Sequence, residues 1–129
     1  MLDLDKFKDI NDNMGHYWGD VLLKCISERF MQKIRKSDTV ARLGGDEFVI
    51  LLADVAKKEF INEMAEKILN VVSEPFVLND QKVSISSSIG IASYPHHGND
   101  LDTLLKCADK AMYKVKETGR NRAAFFQDN

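Results

Sequence analysis

Two cysteines, two prolines and a single tryptophan are all that the 129 residues contain of those types. Cys25 and Cys107 are too few and too far apart for a disulfide framework. Each falls on an apolar helical stripe, which suits small buried hydrophobes in a reducing compartment better than a disulfide or a metal site. Long apolar runs are also missing. The longest, Phe48 to Ala53, has six residues, against the roughly 20 that a membrane span needs. No basic segment followed by an apolar stretch and a small-residue cleavage site opens the chain, so no secretory signal is legible. Excess charge of one sign is absent as well: 18 Lys and Arg face 20 Asp and Glu, a net charge of −2. That balance, with no interleaving of aromatic and basic residues, argues against a nucleic-acid binder and confines any basic site to a local cluster. Repeats, low-complexity tracts and linkers are absent too. With 44% hydrophobic and 29% charged residues, the composition is that of one soluble globular domain with one core.

Hydrophobic periodicity divides the chain into elements. Met1-Leu2-Asp3-Leu4-Asp5 reads as the end of a strand running into acidic residues, and a short helix is expected to start near Lys8. Apolar positions 18, 21, 22, 25, 26, 30 and 34 predict a helix from Trp18 to about Lys36. Thr39 to Leu43 and Phe48 to Leu52 read as strands joined by the turn Gly44-Gly45-Asp46-Glu47. A helix is predicted over roughly 55–73, ending before Pro75. Phe76 to Leu78 and a long strand from Lys82 to Ala92 flank the turn signal Asn79-Asp80 and predict a second hairpin. In that long strand Ile85, Ile89 and Ile91 alternate with Ser84, Ser86, Ser88 and Gly90. The small face would let a helix or a ligand come close, unless it is simply a serine row facing solvent. Asp100 is the expected N-cap of a last helix with Gly119 as its stop, and Arg122 to Phe126 closes the chain as a strand. The order βααββαββαβ implies a single domain over residues 1–129, an α+β or α/β sheet covered by helices.

Carboxylates gather where the backbone turns. Asp3 and Asp5 follow the first strand, and Asp46 and Glu47 occupy the hairpin turn. Two acidic turns meeting at one end of a sheet repel unless a cation sits between them, and hard oxygen ligands suit Mg²⁺ or Mn²⁺; the plain alternative is solvated turn residues. Lys8 near a helix start, with Lys116 and Arg120 four apart at the end of the last helix, would complete a clamp for a nucleoside triphosphate. Favourable placement at a helix C-terminus is the competing explanation for the last two. His16 in a turn and the pair His96-His97 in a loop lack a ligand cluster and are not assigned to a metal.

Gly44-Gly45-Asp46-Glu47-Phe48, preceded by Asp3-Leu4-Asp5-Lys6-Phe7-Lys8 and by the run from Asn11 to Asp20, resembles the GGDEF family of diguanylate cyclases. The resemblance continues through Ser88 to Ala92, Ala108 to Tyr113 and Gly119 to Arg122, in family order over essentially the whole chain. It implies a sandwich-like fold with a central, mostly antiparallel sheet flanked by helices, similar to the nucleotidyl cyclase and polymerase palm. It implies condensation of two GTP molecules into cyclic di-GMP with release of two pyrophosphates, by two copies facing each other antiparallel. By position it makes Asp3, Asp46 and the Leu4 carbonyl ligands of Mg²⁺ or Mn²⁺. Glu47 becomes a further ligand or the group that helps deprotonate the attacking 3′-hydroxyl. Asn11 and a buried Asp20 read guanine, whose N1–H and N2–H₂ donors a carboxylate accepts together. Lys8, Lys116 and Arg120 bind phosphate, and Gly44 and Gly45 let the hairpin backbone approach the nucleotide. Arg35 and Asp38 match the inhibitory site for the product. The resemblance further implies a cytoplasmic domain linked covalently to sensory or output domains, without membrane or nucleic-acid contact of its own. A binding module that holds GTP or cyclic di-GMP without turnover is the alternative. Family members usually carry a helix and the start of the central strand ahead of the position of Asp3. Where Met1-Leu2 stands instead, an exposed apolar surface is expected, with reduced stability, self-association or strand exchange.

Overall fold

A strand written Leu-Asp-Leu-Asp sends its leucines to one face and its aspartates to the other. In the computed structural model of the chain, which describes residues 1–127, this is β1 (Leu2–Asp5), and all four residues are buried. Helices α1 (Phe7–Met14) and α2 (His16–Lys33) follow, then the hairpin β2 (Thr39–Gly44) and β3 (Glu47–Leu51), and helix α3 (Lys58–Ser73). The second half holds β4 (Phe76–Leu78), β5 (Gln81–Val83), β6 (Ser86–Ile91), α4 (Leu101–Glu117) and β7 (Arg122–Phe125). Five strands form one sheet in the order β2-β3-β1-β6-β7. β1 is central and antiparallel to both neighbours, β2 and β3 are antiparallel, and β6 and β7 run parallel. The mixed, mostly antiparallel sheet is the α+β architecture expected.

The leucine face carries the main core. Leu2, Leu4, Phe48 and Ile89 of the sheet pack with Leu22, Ile26 and Phe30 of α2 and with Met64, Ile68 and Val72 of α3. Phe30 and Phe48 meet edge to face at 5.4 Å between centroids, a favoured aromatic geometry. Arg29 fastens the two helices together. Its guanidinium donates to the carbonyls of Val71, Glu74 and Pro75, satisfying groups that the end of α3 leaves without helical partners, and lies 3.6 Å from the Phe76 ring centroid.

The aspartate face belongs to α4. Ser86 and Ser88 of β6 stand opposite Asp5 and Asp3 in register, and Gly90 continues the same face. A Cβ on Gly90 would lie 1.9 Å from the Ala108 carbonyl oxygen and 2.4 Å from the Met112 nitrogen. Helix α4 therefore rests its backbone directly on the strand. The small face predicted for this strand accommodates a helix and is not a solvent-facing serine row. An open apolar groove of about 850 Å³ lies beside Met1, with Ile50, Leu52, Ile61, Ile91, Leu104 and Phe125 in its walls.

Four boundaries differ from the sequence reading. The long strand expected from Lys82 to Ala92 is broken at Ser84-Ile85: β5 pairs with β4 in a separate two-stranded sheet, while β6 joins the main one. Asn79 and Asp80, both at positive φ, make the two-residue turn between β4 and β5. Helix α2 ends at Lys33 instead of Lys36, because Ile34 is extended and the Asp38 carboxylate takes the Arg35 amide in a turn. It also begins at His16, two residues ahead of Trp18, immediately after Gly15 at φ 96°. Helix α3 starts at Lys58 instead of about 55.

The contact at Gly90 generates a prediction. Because the added methyl meets backbone and not the end of a mobile side chain, Gly90→Ala is expected to destabilise the domain by about 1–3 kcal/mol or more. Urea unfolding of the two proteins checks this, and an unchanged midpoint would remove the argument.

Candidate active site

The acids are brought together by strand pairing. Asp3 stands opposite Glu47, the first residue of β3, and the Leu4 amide donates to the Asp46 carbonyl at 3.3 Å. The end of β1 and the β2–β3 turn thus lie side by side. Burial, reinforced by the charge of nearby Asp5, raises the Asp46 carboxyl above its ordinary value. Gly44 and Gly45 form the turn at φ 153° and 50°, with no atom within 4 Å of where either Cβ would stand.

Asp3 and Asp5 are each only 5% exposed, and their surroundings differ. Asp5 is saturated: Oδ1 accepts the Ser88 hydroxyl, while Oδ2 accepts the Ser86 hydroxyl and the Asn121 amide. Asp3 is not. Its Oδ2 is held by Lys116, and its buried Oδ1 has no hydrogen-bond partner among the described residues. An unpaired, desolvated carboxylate oxygen is costly and is a fitting ligand for a hard cation. Among the described residues, no group of three or more His, Cys, Asp or Glu side chains is assembled for a metal. Asp3, the Leu4 carbonyl and Asp46 provide the right chemistry, with Lys116 meanwhile neutralising Asp3.

The cations come from both ends of the fold. Lys8 is exposed in the first turn of α1, whose N-terminus has no side-chain cap. Burial and the Arg120 charge push Lys116 below the usual lysine value, while its contact with Asp3 opposes that shift by favouring the charged form. Arg120, half exposed, has its Nε 4.0 Å from Asp5 Oδ1. The dipole alone does not account for Lys116, which reaches across to β1.

Asn11 and Asp20 are joined through a residue that motif reading passed over. A Cβ on Gly19 would fall 1.9 Å from Asn11 Oδ1, so the Asn11 amide lies against the bare Cα of the residue preceding Asp20. Asp20 itself is exposed, not buried as expected, because the next position along α2 points outward while Gly19 faces α1. The hydroxyls of Ser86 and Ser88 were also missed as polar partners. Their alternation was legible, but nothing in it showed that it would register against the aspartates of β1.

Arg35 and Asp38 form a closed ion pair. Asp38 Oδ2 accepts the Arg35 amide and Nε, and Oδ1 accepts Nη2 at 2.9 Å and the Ala53 amide at 3.1 Å. The Asp38 carboxylate is wholly buried and internally satisfied, which leaves Arg35 as the accessible half of the pair. The guanidinium lies 4.6 Å from the Phe60 ring centroid. The six residues of β2 separate this pair from the acidic turn by roughly 20 Å, at about 3.3 Å per residue. His16 is exposed in the first turn of α2. His97 accepts the Ser93 amide through Nδ1 and packs edge to face on Phe126, a structural role.

Comparison with known proteins identifies the family and the fold. The family model described as the diguanylate cyclase GGDEF domain matches residues 1–122, and the chain belongs to that family. The bifunctional diguanylate cyclase/cyclic di-GMP phosphodiesterase MucR of Pseudomonas aeruginosa is 44% identical over 99% of the chain; the chain spans 18% of that protein's length. The crystal structure of the GGDEF domain of TpbB, also from P. aeruginosa, superposes with a TM-score of 0.95 at 43% identity, covering 99% of this chain and 80% of that one. The GGDEF domain of DgcB from Caulobacter crescentus, solved with cyclic di-GMP, gives a TM-score of 0.86 at 26% identity, covering 98% and 75%.

The Arg35–Asp38 pair makes stability depend on pH in a defined direction. The Arg35 hydrogen bond, with those of the two amides, holds the Asp38 carboxyl below its ordinary value despite burial. A depressed folded-state pKa contributes stability that is complete above the unfolded value, about 3.9, and lost as pH falls through and below it. Asp38→Asn is therefore expected to melt lower than wild type by a constant margin from pH 7 to pH 5. That margin should shrink below about pH 4. Thermal melts across this range test it, and a margin that persists unchanged at pH 3 contradicts it.

Proposed function

We propose that this domain is a diguanylate cyclase, condensing two GTP molecules into cyclic di-GMP with release of two pyrophosphates. The observation that carries the reading is that strand pairing puts Asp3 opposite Glu47 and Leu4 against Asp46, with Lys116 on Asp3 and Arg120 4.0 Å from Asp5. The 3′-oxygen of one GTP attacks the α-phosphorus of the other, the bond to the bridging oxygen of the β-phosphate breaks, and pyrophosphate leaves; the second ester forms in the same way. One site holds one GTP, so two copies must face each other antiparallel. Mg²⁺ or Mn²⁺, held by Asp3, Asp46 and the Leu4 carbonyl, would supply charge neutralisation at the α-phosphate and lower the pKa of the attacking hydroxyl. Glu47 serves as a further ligand or takes the proton of the 3′-hydroxyl. Lys8, Lys116 and Arg120 bind the phosphates, Lys116 exchanging Asp3 for a phosphate oxygen as the nucleotide enters. Gly44 and Gly45 keep the turn clear for the nucleotide. Asn11 and Asp20 read guanine, and solvent-facing Arg35, held by Asp38, offers its remaining donors to the product. GTP places this work in the cytoplasm, and relatives such as MucR suggest covalently linked sensory or output domains. A second reading, a module that binds nucleotide without turnover, is favoured by the Lys116–Asp3 contact and the incomplete carboxylate cluster.

Turnover separates the two. With Mg²⁺ and GTP at high protein concentration, wild type is expected to form cyclic di-GMP, identified by mass. Asp46→Asn should lower the rate by about 10²–10³-fold, the cost of removing one group that stabilises transition-state charge. Added cyclic di-GMP should slow wild type but not Arg35→Ala. Calorimetric GTP binding with no product from wild type would establish the binding module instead.

Gly19 generates a separate prediction. Alanine in this helix is intrinsically better than glycine by up to about 1 kcal/mol, so Gly19→Ala should keep its melting temperature. Its methyl displaces Asn11 and is expected to weaken GTP binding about tenfold, the loss of about one hydrogen bond. Equal calorimetric affinity for the two proteins would exclude Asn11 as a guanine contact.

A further inference from the structure

Asp5 is a buried acid for which the reaction above has no use. Both of its oxygens are occupied, by two serine hydroxyls at 2.6 Å each and by the Asn121 amide at 3.1 Å. It therefore has little capacity left for a metal, unlike its neighbour Asp3 with an unpartnered buried oxygen. What it holds is a backbone turn. Three successive residues between α4 and β7 stand at positive φ: Gly119 at 124°, Arg120 at 61° and Asn121 at 54°. Two of them carry side chains, for which the left-handed region is unfavourable and persists only where the surroundings enforce it. The enforcement comes from two sides. The Arg120 amide donates back to the Val115 carbonyl at 2.9 Å, closing α4, and the Asn121 amide donates to Asp5 on the central strand. Arg120 is the residue between these two anchors, with its side chain half exposed and its Nε 4.0 Å from Asp5.

We propose that Asp5 is a positioning residue for the nucleotide site: braced by Ser86 and Ser88, it pins the Asn121 amide and so fixes the left-handed turn that aims Arg120 at the substrate phosphates. The proposal rests on the phosphate-binding reading of Arg120. It gives the serine row of β6 a function, since Ser86 and Ser88 orient the acid on which the turn depends. It also separates the paired aspartates of β1 into one acid for chemistry and one for geometry.

The test is a double-mutant cycle read as GTP affinity by calorimetry in Mg²⁺, so it does not require turnover. Arg120→Ala is expected to weaken GTP binding about tenfold, and Asp5→Ala by a similar factor. Asp5→Asn, which keeps an oxygen for the Asn121 amide, should stay within about threefold of wild type. In the Arg120→Ala background, Asp5→Ala should cost less than about twofold more, because its effect runs through the arginine. Thermal melts accompany each variant. If Asp5→Ala does not fold, Ser86→Ala, which removes one brace and leaves the acid in place, runs the same cycle with a smaller loss. An unchanged affinity in Arg120→Ala overturns the phosphate reading and the proposal with it. An Asp5 effect that is undiminished in the Arg120→Ala background, or equally large for Asp5→Asn, overturns the proposal alone.

Discussion

The rest of the structure depends on the burial of two carboxylates in a central strand. β1 is covered on both faces, so its alternation drives Leu2 and Leu4 into the core of α2 and α3 and forces Asp3 and Asp5 beneath α4. Ionised groups out of water must be compensated locally, and the two acids are compensated differently. Asp5 receives neutral donors from the neighbouring strand and the turn after α4. Asp3 receives one lysine and, among the described residues, keeps one oxygen unpaired. Much of α4's placement follows from these needs, since its C-terminal turn must deliver Lys116 to Asp3 while the turn beyond it delivers the Asn121 amide to Asp5.

Such delivery requires that α4 lie unusually close to the sheet. Gly90 allows it: the helix backbone fills the space where any side chain would project. On the other helical layer, Gly19 does a similar service, letting the Asn11 amide rest against α2. In both places, removing a single side chain sets the position of a polar group elsewhere. The cost is sensitivity, because the backbone around Gly90 cannot retreat from an added methyl as the Asn11 side chain can.

Much of this was legible in the sequence, for physical reasons that differ by element. The β2–β3 hairpin, the extent of α4 and the Asp100 cap follow from local chemistry, and the cap is seen as the Asp100 carboxylate accepting the Thr103 amide at 2.8 Å. The break at Ser84-Ile85 was not legible, because alternation continues through it and only pairing partners assign β5 and β6 to different sheets. The end of α2 was missed for a related reason. Apolar spacing runs on to Ile34, while the Asp38 carboxylate, four residues further, captures the Arg35 amide and stops the helix. Family motifs singled out Asp3, Asp46, Lys116 and Arg120 as candidates, but could not show that Lys116 lies on Asp3. They placed Asp20 without its exposure and left Gly19, Ser86 and Ser88 without roles.

The hairpin turn joins two constraints. Gly45, at φ 50°, is in a region that residues with side chains adopt reluctantly, so turn geometry alone would account for it. Close packing accounts for neither glycine, since no atom of the described residues beyond the chain neighbours lies within 4 Å of either added Cβ. At Gly90 the missing side chain makes room for a helix of the same chain; at Gly44 and Gly45 the space is open. Asp46, raised by burial and by Asp5, lies directly beside that space, with Asp3 and its unpaired oxygen across the strand pair. A turn shaped only to reverse the chain would have no need of unsatisfied charge next to it. The combination of open backbone and frustrated carboxylates is what a nucleotide with its cation would relieve, and it ties the glycines of the motif to its acids through one requirement.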